Sequence, residues 1–257
     1  MRNLILIILT IAVSCGSLAA QNSSLILGIN GGTNFSKLGF TGDFSIQGET
    51  TSRAIGFQGG VDLGVKFGSF SFLTGFKYVQ GGGNTELRRD DPNNPFVLDN
   101  GTIDVGVQNT STSLSMISIP LLLRYESQGD LAFTVSLGPV IHKATGSAKT
   151  EITYDLTASG SIGPDEVEST YGDLGNDLFS TGSVGFMFSP GVLYKLNDNG
   201  RLRFNLTYAT RGTINNDNYL VADALGVRKV SGSIKSNAIM FEIGYEHRID
   251  FNFGSQY

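Results

Sequence analysis

From Ile55 to Gly68 the chain alternates without a break. Odd positions carry Ile55, Phe57, Gly59, Val61, Leu63, Val65 and Phe67, and even positions carry Gly56, Gln58, Gly60, Asp62, Gly64, Lys66 and Gly68. A period of two is the signature of an extended strand with unlike faces. One face here is large and apolar, the other glycine and charge. The split recurs at 131–142, where Leu131, Phe133, Val135, Leu137, Pro139 and Ile141 oppose Ala132, Thr134, Ser136, Gly138, Val140 and His142. It recurs again at 184–196, 201–211 and 239–248, and less cleanly at 25–35, 70–80 and 113–125.

Eight such segments are joined by connections that alternate in length. Short ones fall at Gly68-Ser69, at Glu126 to Asp130 and at Asn197-Asp198-Asn199-Gly200, whose Asn-Gly pair favours a tight hairpin. Long ones, rich in Asp, Asn, Gly, Ser and Thr, are expected near 36–52, 81–112, 143–180 and 212–235. Short turns at one end and long polar loops at the other is the arrangement of outer-membrane barrels. The expected fold is all-β, an eight-stranded antiparallel up-and-down transmembrane β-barrel. A lipocalin-like soluble barrel also alternates, but it points its apolar face inward around a ligand. The polar face here carries Asp62, Lys66, Lys77, Arg124, Lys195, Arg201, Arg203, Arg211, Glu242, Glu246 and Arg248 among many glycines. Glycine suits a narrow interior crowded by eight strands. The charges are therefore expected to pair inside, leaving no open channel. Tyr78, Tyr125, Tyr194, Tyr208 and Tyr245 lie on the apolar face near segment ends, as candidates for aromatic girdles.

Composition narrows the remaining classes. Of 257 residues, 40% are hydrophobic and only 16% charged, against the habit of disordered chains. Residues 1–20 read as an export signal: Arg2, then an apolar run from Leu4 to Val13, then Ser17-Leu18-Ala19-Ala20 for cleavage. Residues 21–257 form the barrel domain, and the expected location is the outer membrane. Cys15 is the single cysteine. Ala12-Val13-Ser14-Cys15 offers an alternative lipoprotein box, but a cysteine lost with the signal fits better. The formal charge is −5, or −6 once Arg2 is removed. No basic run exceeds two residues, so nucleic acid is not an expected partner.

The segment Ser118-Ile119-Pro120-Leu121-Leu122-Leu123-Arg124-Tyr125 resembles the Ile-Pro-Leu-Leu-Leu-Lys-Tyr strand of the PorT-like outer-membrane barrel family of Bacteroidota. Gly56-Phe57-Gln58-Gly59-Gly60-Val61-Asp62 and Phe76-Lys77-Tyr78-Val79-Gln80-Gly81-Gly82 are similar to its second and third strands, and Leu137-Gly138-Pro139 to its fifth. The resemblance spans about residues 22–250. It implies an eight-stranded outer-membrane barrel, with some relatives similar to components of type IX protein secretion. It transfers no catalytic motif.

No residue is assigned a catalytic, cofactor-binding or metal-ligating role, and no cofactor is expected. His142 is placed on the inner face near the outer rim and His247 on the opposite face near the other rim, so the two should not meet. Asp90-Asp91-Pro92-Asn93-Asn94-Pro95, Asp99-Asn100-Gly101 and Asn215-Asn216-Asp217-Asn218 are rich in oxygen donors but lack EF-hand spacing. They read as solvated loops, as does the acidic Asp165-Glu166-Val167-Glu168. Gly81-Gly82-Gly83 lacks the helix and lysine of a phosphate cradle. The functional expectation is a non-enzymatic barrel acting through its long loops. It is an accessory or interaction subunit of an envelope complex for secretion, assembly or uptake, with outer-membrane lipid and other envelope proteins as partners. The alternatives are an autonomous structural or adhesive barrel and a lipid-modifying enzyme using His142.

Overall fold

The computed structural model describes residues 23–42, 49–91, 95–97, 103–158, 160–170, 183–223 and 226–251. The segment read as an export signal, with Cys15, and the Asp99-Asn100-Gly101 stretch lie outside them. In chain order the strands are β1 (Ser23–Gly42), β2 (Glu49–Ser52), β3 (Ala54–Phe67), β4 (Phe70–Arg89), β5 (Phe96–Val97), β6 (Ile103–Asp104), β7 (Gly106–Glu126), β8 (Leu131–Leu156), β9 (Gly160–Thr170), β10 (Ser183–Lys195), β11 (Gly200–Asp223) and β12 (Gly226–Phe251). Eight of them pair in a closed antiparallel ring, β1-β3-β4-β7-β8-β10-β11-β12. Closure comes from β1 against β12, running from Ser23 opposite Phe251 to Gly42 opposite Gly232. β2 adds to β4 and β9 to β8 outside the ring, and β5 and β6 form a small hairpin. Among the described residues no helix is long and apolar enough to cross a membrane.

Side chains divide as the alternation requires. Ile55, Phe57, Phe76, Phe133, Val184 and Phe241 are exposed on the outside, Ile55 by 76%. Asp62, Lys77, Arg124, Glu242, Glu246 and Arg248 are buried inside. This is an inverted protein, and soluble chains rarely expose continuous apolar area of this extent.

The outer face changes character at one matched height. Tyr78 faces Ile117 across β4 and β7. Ile119 faces Ile141 across β7 and β8, and Tyr208 faces Ile239 across β11 and β12. Phe35 faces both Ile239 and Ile55. One outward step further on, the residues become Gln80, Ser115, Lys143, Thr210, Asn237, Lys37 and Arg53. Below that line the band on β8 runs from Leu131 to Ile141, within the nine to eleven tilted residues that cross a hydrocarbon layer of about 30 Å. Tyr78 and Tyr208 sit at the upper edge, with the Tyr78 hydroxyl 2.7 Å from Ser115 Oγ. Tyr125 and Tyr194 lie one residue inside the lower ends of β7 and β10.

The short turns fall where expected, with one difference. Gly68 turns β3 into β4 at φ 57, a left-handed conformation that favours glycine. The β10–β11 turn is organised by Asn197 instead of by Asn199-Gly200. The Asn197 side-chain oxygen accepts from the backbone N–H of Asn199 at 3.1 Å and of Gly200 at 2.6 Å. Much of what reads as long loops is strand. Residues 81–89 and 106–112 pair across β4 and β7, and 143–156 continue β8 to its full 26 residues. Residues 212–223 and 226–235 extend β11 and β12. Above the apolar band the outer face turns polar while Leu38, Leu87, Leu114 and Leu156 stay buried on the inner one, so strict apolar-polar alternation fades there and its loss does not mean loop.

The band makes a direct prediction. Leu137→Arg, at its middle, should reduce folding stability in a lipid bilayer by about 2–4 kcal/mol, whereas Thr145→Arg, above it, should change it by less than about 1 kcal/mol. Urea titration of the bilayer-folded chain, read by gel mobility with and without heating, measures both; equal effects would contradict the assignment.

Candidate functional site: the charged interior

The inner face of β12 places Glu242, Glu246 and Arg248 in one row, because alternate residues share a face. Each finds partners on other strands. Glu246 holds Arg124 of β7 in a two-pronged pair, at 2.5 Å (Arg124 Nη1 to Oε2) and 3.0 Å (Nη2 to Oε1). Arg203 of β11 and Arg248 stand 3.6 and 3.5 Å from the same carboxylate. Arg248 in turn donates two bonds to Glu126, at 2.9 and 2.7 Å, and Lys66 of β3 reaches Glu126 at 3.1 Å. Arg203 also pairs with Asp62 of β3, which accepts from Asn30 Nδ2 at 2.8 Å. Higher up, Lys77 of β4 meets Glu242 at 2.5 Å, and Thr207 Oγ1 donates to the second oxygen of Glu242 at 2.8 Å. These contacts tie β3, β4, β7, β11 and β12 together across the lumen.

Such a network exists because the alternatives are worse. An isolated charge in a low-dielectric interior is expensive, and a half-satisfied network is worse than an apolar core. Here Asp62, Glu126, Glu242 and Glu246 each have a cationic partner, and Lys66, Lys77, Arg124, Arg203 and Arg248 each have a carboxylate. An apolar cluster that includes Ile26, Leu73, Leu122, Val140, Met187 and Met240 fills more of the interior.

At the outer end the pattern changes. Arg211 is 3% exposed, has no carboxylate partner among the described residues, and donates weakly to Ser236 Oγ at 3.5 Å. Its guanidinium reaches across to β4, where a Cβ on Gly81 would stand 2.3 Å from Nη1. Gly81 therefore serves as clearance for an arginine. His142 is buried with Nδ1 2.8 Å from Ser118 Oγ, and its Nε2 has no hydrogen-bond partner.

Of the residues expected inside, Lys195 and Arg201 sit at the mouth beside the turns. Lys195 holds the exposed Asp198 at 2.9 Å, and that bond draws the Asp198 carboxyl below its ordinary pKa. Arg201, with Lys66, Glu126, Arg248 and Asp250, lines a polar recess of about 370 Å³ there. His142 and His247 are apart: His142 pairs with Ser118 and Ser183, His247 with Gly200 and Leu27. Two partners were missed. Glu126 reads as the start of a turn, yet it is the last residue of β7 and points inward. Its parity with Ser118, Leu122 and Arg124 was the available signal. Ser118 meets His142 only because β7 and β8 pair in that register. Among the described residues no three metal-binding side chains converge. Asn215 to Asn218 fall in β11 and Asp165 to Glu168 in β9, both strands of the structure.

Removing the hub carboxylate should be severe. Glu246→Ala takes away the two-pronged partner of the buried Arg124 and a carboxylate shared with Arg203 and Arg248, and should destabilise the folded chain by about 3–5 kcal/mol. Glu86→Ala removes only a half-exposed contact to Arg88 at 3.8 Å and should change stability by less than about 1 kcal/mol. Chemical denaturation in detergent micelles compares them, and a Glu246→Ala loss no larger than that of Glu86→Ala would show the network to be idle.

Residues 19–211 match the family described as Outer membrane protein beta-barrel domain. A comparison with curated proteins gave no match. Among solved structures the chain is similar to the outer membrane protein OprG from Pseudomonas aeruginosa, at 13% identity, covering 89% of this chain and 96% of that one, with a TM-score of 0.46. It is also similar to Neisserial surface protein A, at 13% identity, 87% and 97% coverage and a TM-score of 0.39. A third similarity is to the outer membrane protease OmpT from Escherichia coli, at 10% identity, 90% and 97% coverage and a TM-score of 0.36. At these values none of the three bears on function.

Proposed function

Because the chain belongs to the outer membrane protein β-barrel domain family, we propose that it is an eight-stranded transmembrane barrel, closed to bulk flow, that works through what it holds above the outer leaflet. In this reading residues 1–20 are removed on export, the turns at 68–69, 127–130 and 196–199 face the periplasm, and the barrel serves an envelope complex as an accessory or interaction subunit. The finer kinship with the PorT-like barrels of Bacteroidota, drawn from Ile119-Pro120-Leu121-Leu122-Leu123, belongs to the same proposal.

One observation carries it. β4, β7, β8, β11 and β12 run far past the apolar band, in β8 to 26 residues or roughly 85 Å of strand path. A strand that only has to cross lipid needs less than half of that. The extension displays a polar outer surface: Asn84, Glu86, Asn109, Ser111, Glu151 and Thr153 line a recess of about 390 Å³. Loops and projections on a rigid scaffold are where such folds carry binding. The interior offers the opposite, a lumen occupied by a charged network and by the apolar cluster that includes Ile26 and Met240. The Ser118–His142 contact is what favours the enzyme alternative. Both side chains are at most 5% exposed, and no carboxylate among the described residues orients His142, so a positioning role in the interior fits better.

Two measurements test this. Purified protein in a planar bilayer should give no sustained porin-like conductance; a stable open step would refute the closed lumen. Replacing residues 144–182 by a short turn should leave a heat-modifiable, membrane-inserted barrel while abolishing recovery of any stoichiometric partner that affinity purification from gently solubilised membranes yields. Equal partner recovery from the shortened chain would remove the extension from the function.

A further inference from the structure

The outer edge of the apolar band is not electrically uniform. Lys37, Arg53 and Lys235 stand together on three neighbouring strands, β12, β1 and the lead into β3. Lys37 faces Asn237, and Lys235 lies one outward step beyond it, opposite Gly39. Arg53 follows directly on the Ser36–Ala54 pair, which sets it across from Lys37, and its Nη1 donates to the Phe35 carbonyl at 2.9 Å. Paired positions on a sheet face lie about 5 Å apart and diagonal ones about 7–8 Å apart. Among the described residues none of the three has a carboxylate partner. Arg53 and Lys235 are exposed.

Like charges facing each other across strands repel. The five cations of the central interior network each have a carboxylate, Arg211 being the buried exception, so an unbalanced outer trio needs another reason. The surface directly below supplies it. Phe35, Ile55 and Ile239 continue downward from the cations, with Phe35 edge-on to Phe241 at a centroid distance of 6.0 Å. Cations above an apolar strip match an amphiphile whose anionic head lies at the boundary and whose acyl chains run along the wall. Lys143, at the same height on another side of the barrel, faces Ile117, with no second cation paired beside it among the described residues.

We propose that Lys37, Arg53 and Lys235 form a binding site for the phosphate of an outer-leaflet glycolipid, with its acyl chains laid over Phe35, Ile55 and Ile239. The proposal rests on the membrane reading above, and on the turns facing the periplasm.

The test uses the full chain folded into phosphatidylcholine nanodiscs that contain a minor share of lipid A or of the same lipid dephosphorylated. Native mass spectrometry after transfer to detergent counts the glycolipid retained. The wild-type chain should retain the phosphorylated form by more than about tenfold over the dephosphorylated one, and retention should fall as salt rises. Each basic residue near a membrane surface contributes about fivefold, so Lys37→Gln/Arg53→Gln/Lys235→Gln together should weaken retention by about a hundredfold. Lys143→Gln should leave it unchanged. The swap Lys37→Arg/Arg53→Lys/Lys235→Arg should keep it, which separates lost charge from lost folding. Equal retention of the two lipids by wild type, or undiminished retention by the folded triple variant, overturns the proposal. Full displacement of lipid A by inorganic phosphate also overturns it, since the site would then take a free anion. A chain that inserts into neither bilayer overturns the membrane reading as well; a chain that inserts and shows no preference overturns this inference alone.

Discussion

Everything in this molecule depends on the pairing of β1 with β12. Backbone N–H and C=O groups have no water to turn to inside a hydrocarbon layer, so a sheet that enters one must leave no open edge. The pairing extends without interruption from Ser23–Phe251 to Gly42–Gly232. Once eight strands are closed in this way, the interior is only as wide as the side chains that fill it. The charged network is then a consequence of closure. It is also what the final strand contributes chemically, since β12 supplies Glu242, Glu246 and Arg248. That strand lies beyond residues 19–211, where the family match ends, so the hub carboxylate comes from outside the matched stretch.

A network of this kind is not chosen for stability alone. Replacing buried ion pairs by well-packed apolar groups is often neutral or stabilising. What pairs such as Arg124–Glu246 and Arg248–Glu126 add is a requirement for register. A slip of one residue along any strand turns every inward charge toward lipid. Arg124 and Glu246 are 122 positions apart in the chain, and they meet only when β7 and β12 are both in place around the ring. The interior therefore checks the assembly of the wall.

The strands that cross the apolar band were legible in the sequence because there the two faces meet opposite solvents, and alternation records that difference residue by residue. Ile55 to Phe67 shows it plainly. The same rule explains what was not legible. Thr110, Thr112, Thr150 and Thr153 are paired strand residues of β7 and β8, yet beyond the apolar band the alternation fades, and composition alone reads as loop. Glu126 was hidden differently: a charged residue next to Ser127-Gln128-Gly129-Asp130 looks like part of the turn, and only its parity with Arg124 marks it as interior. The contact between Ser118 and His142 could not be read at all, because alternation gives the face a residue occupies and not the register between strands.

The two ends of the barrel then differ in what they can do. At the turn side the strands stop almost as soon as the apolar band stops, and the mouth is lined by charges that largely satisfy one another. On the other side the strands continue with a polar outer surface, and Lys37, Arg53 and Lys235 stand where the band ends with no carboxylate partner among the described residues. On the proposed reading of a closed lumen, what distinguishes this chain from another barrel of its size lies where its sequence departs from the minimum needed to cross. That departure is concentrated above the Tyr78–Ile117 line, in length, in polarity and in charge, and it is there that chemistry specific to this protein has room to act.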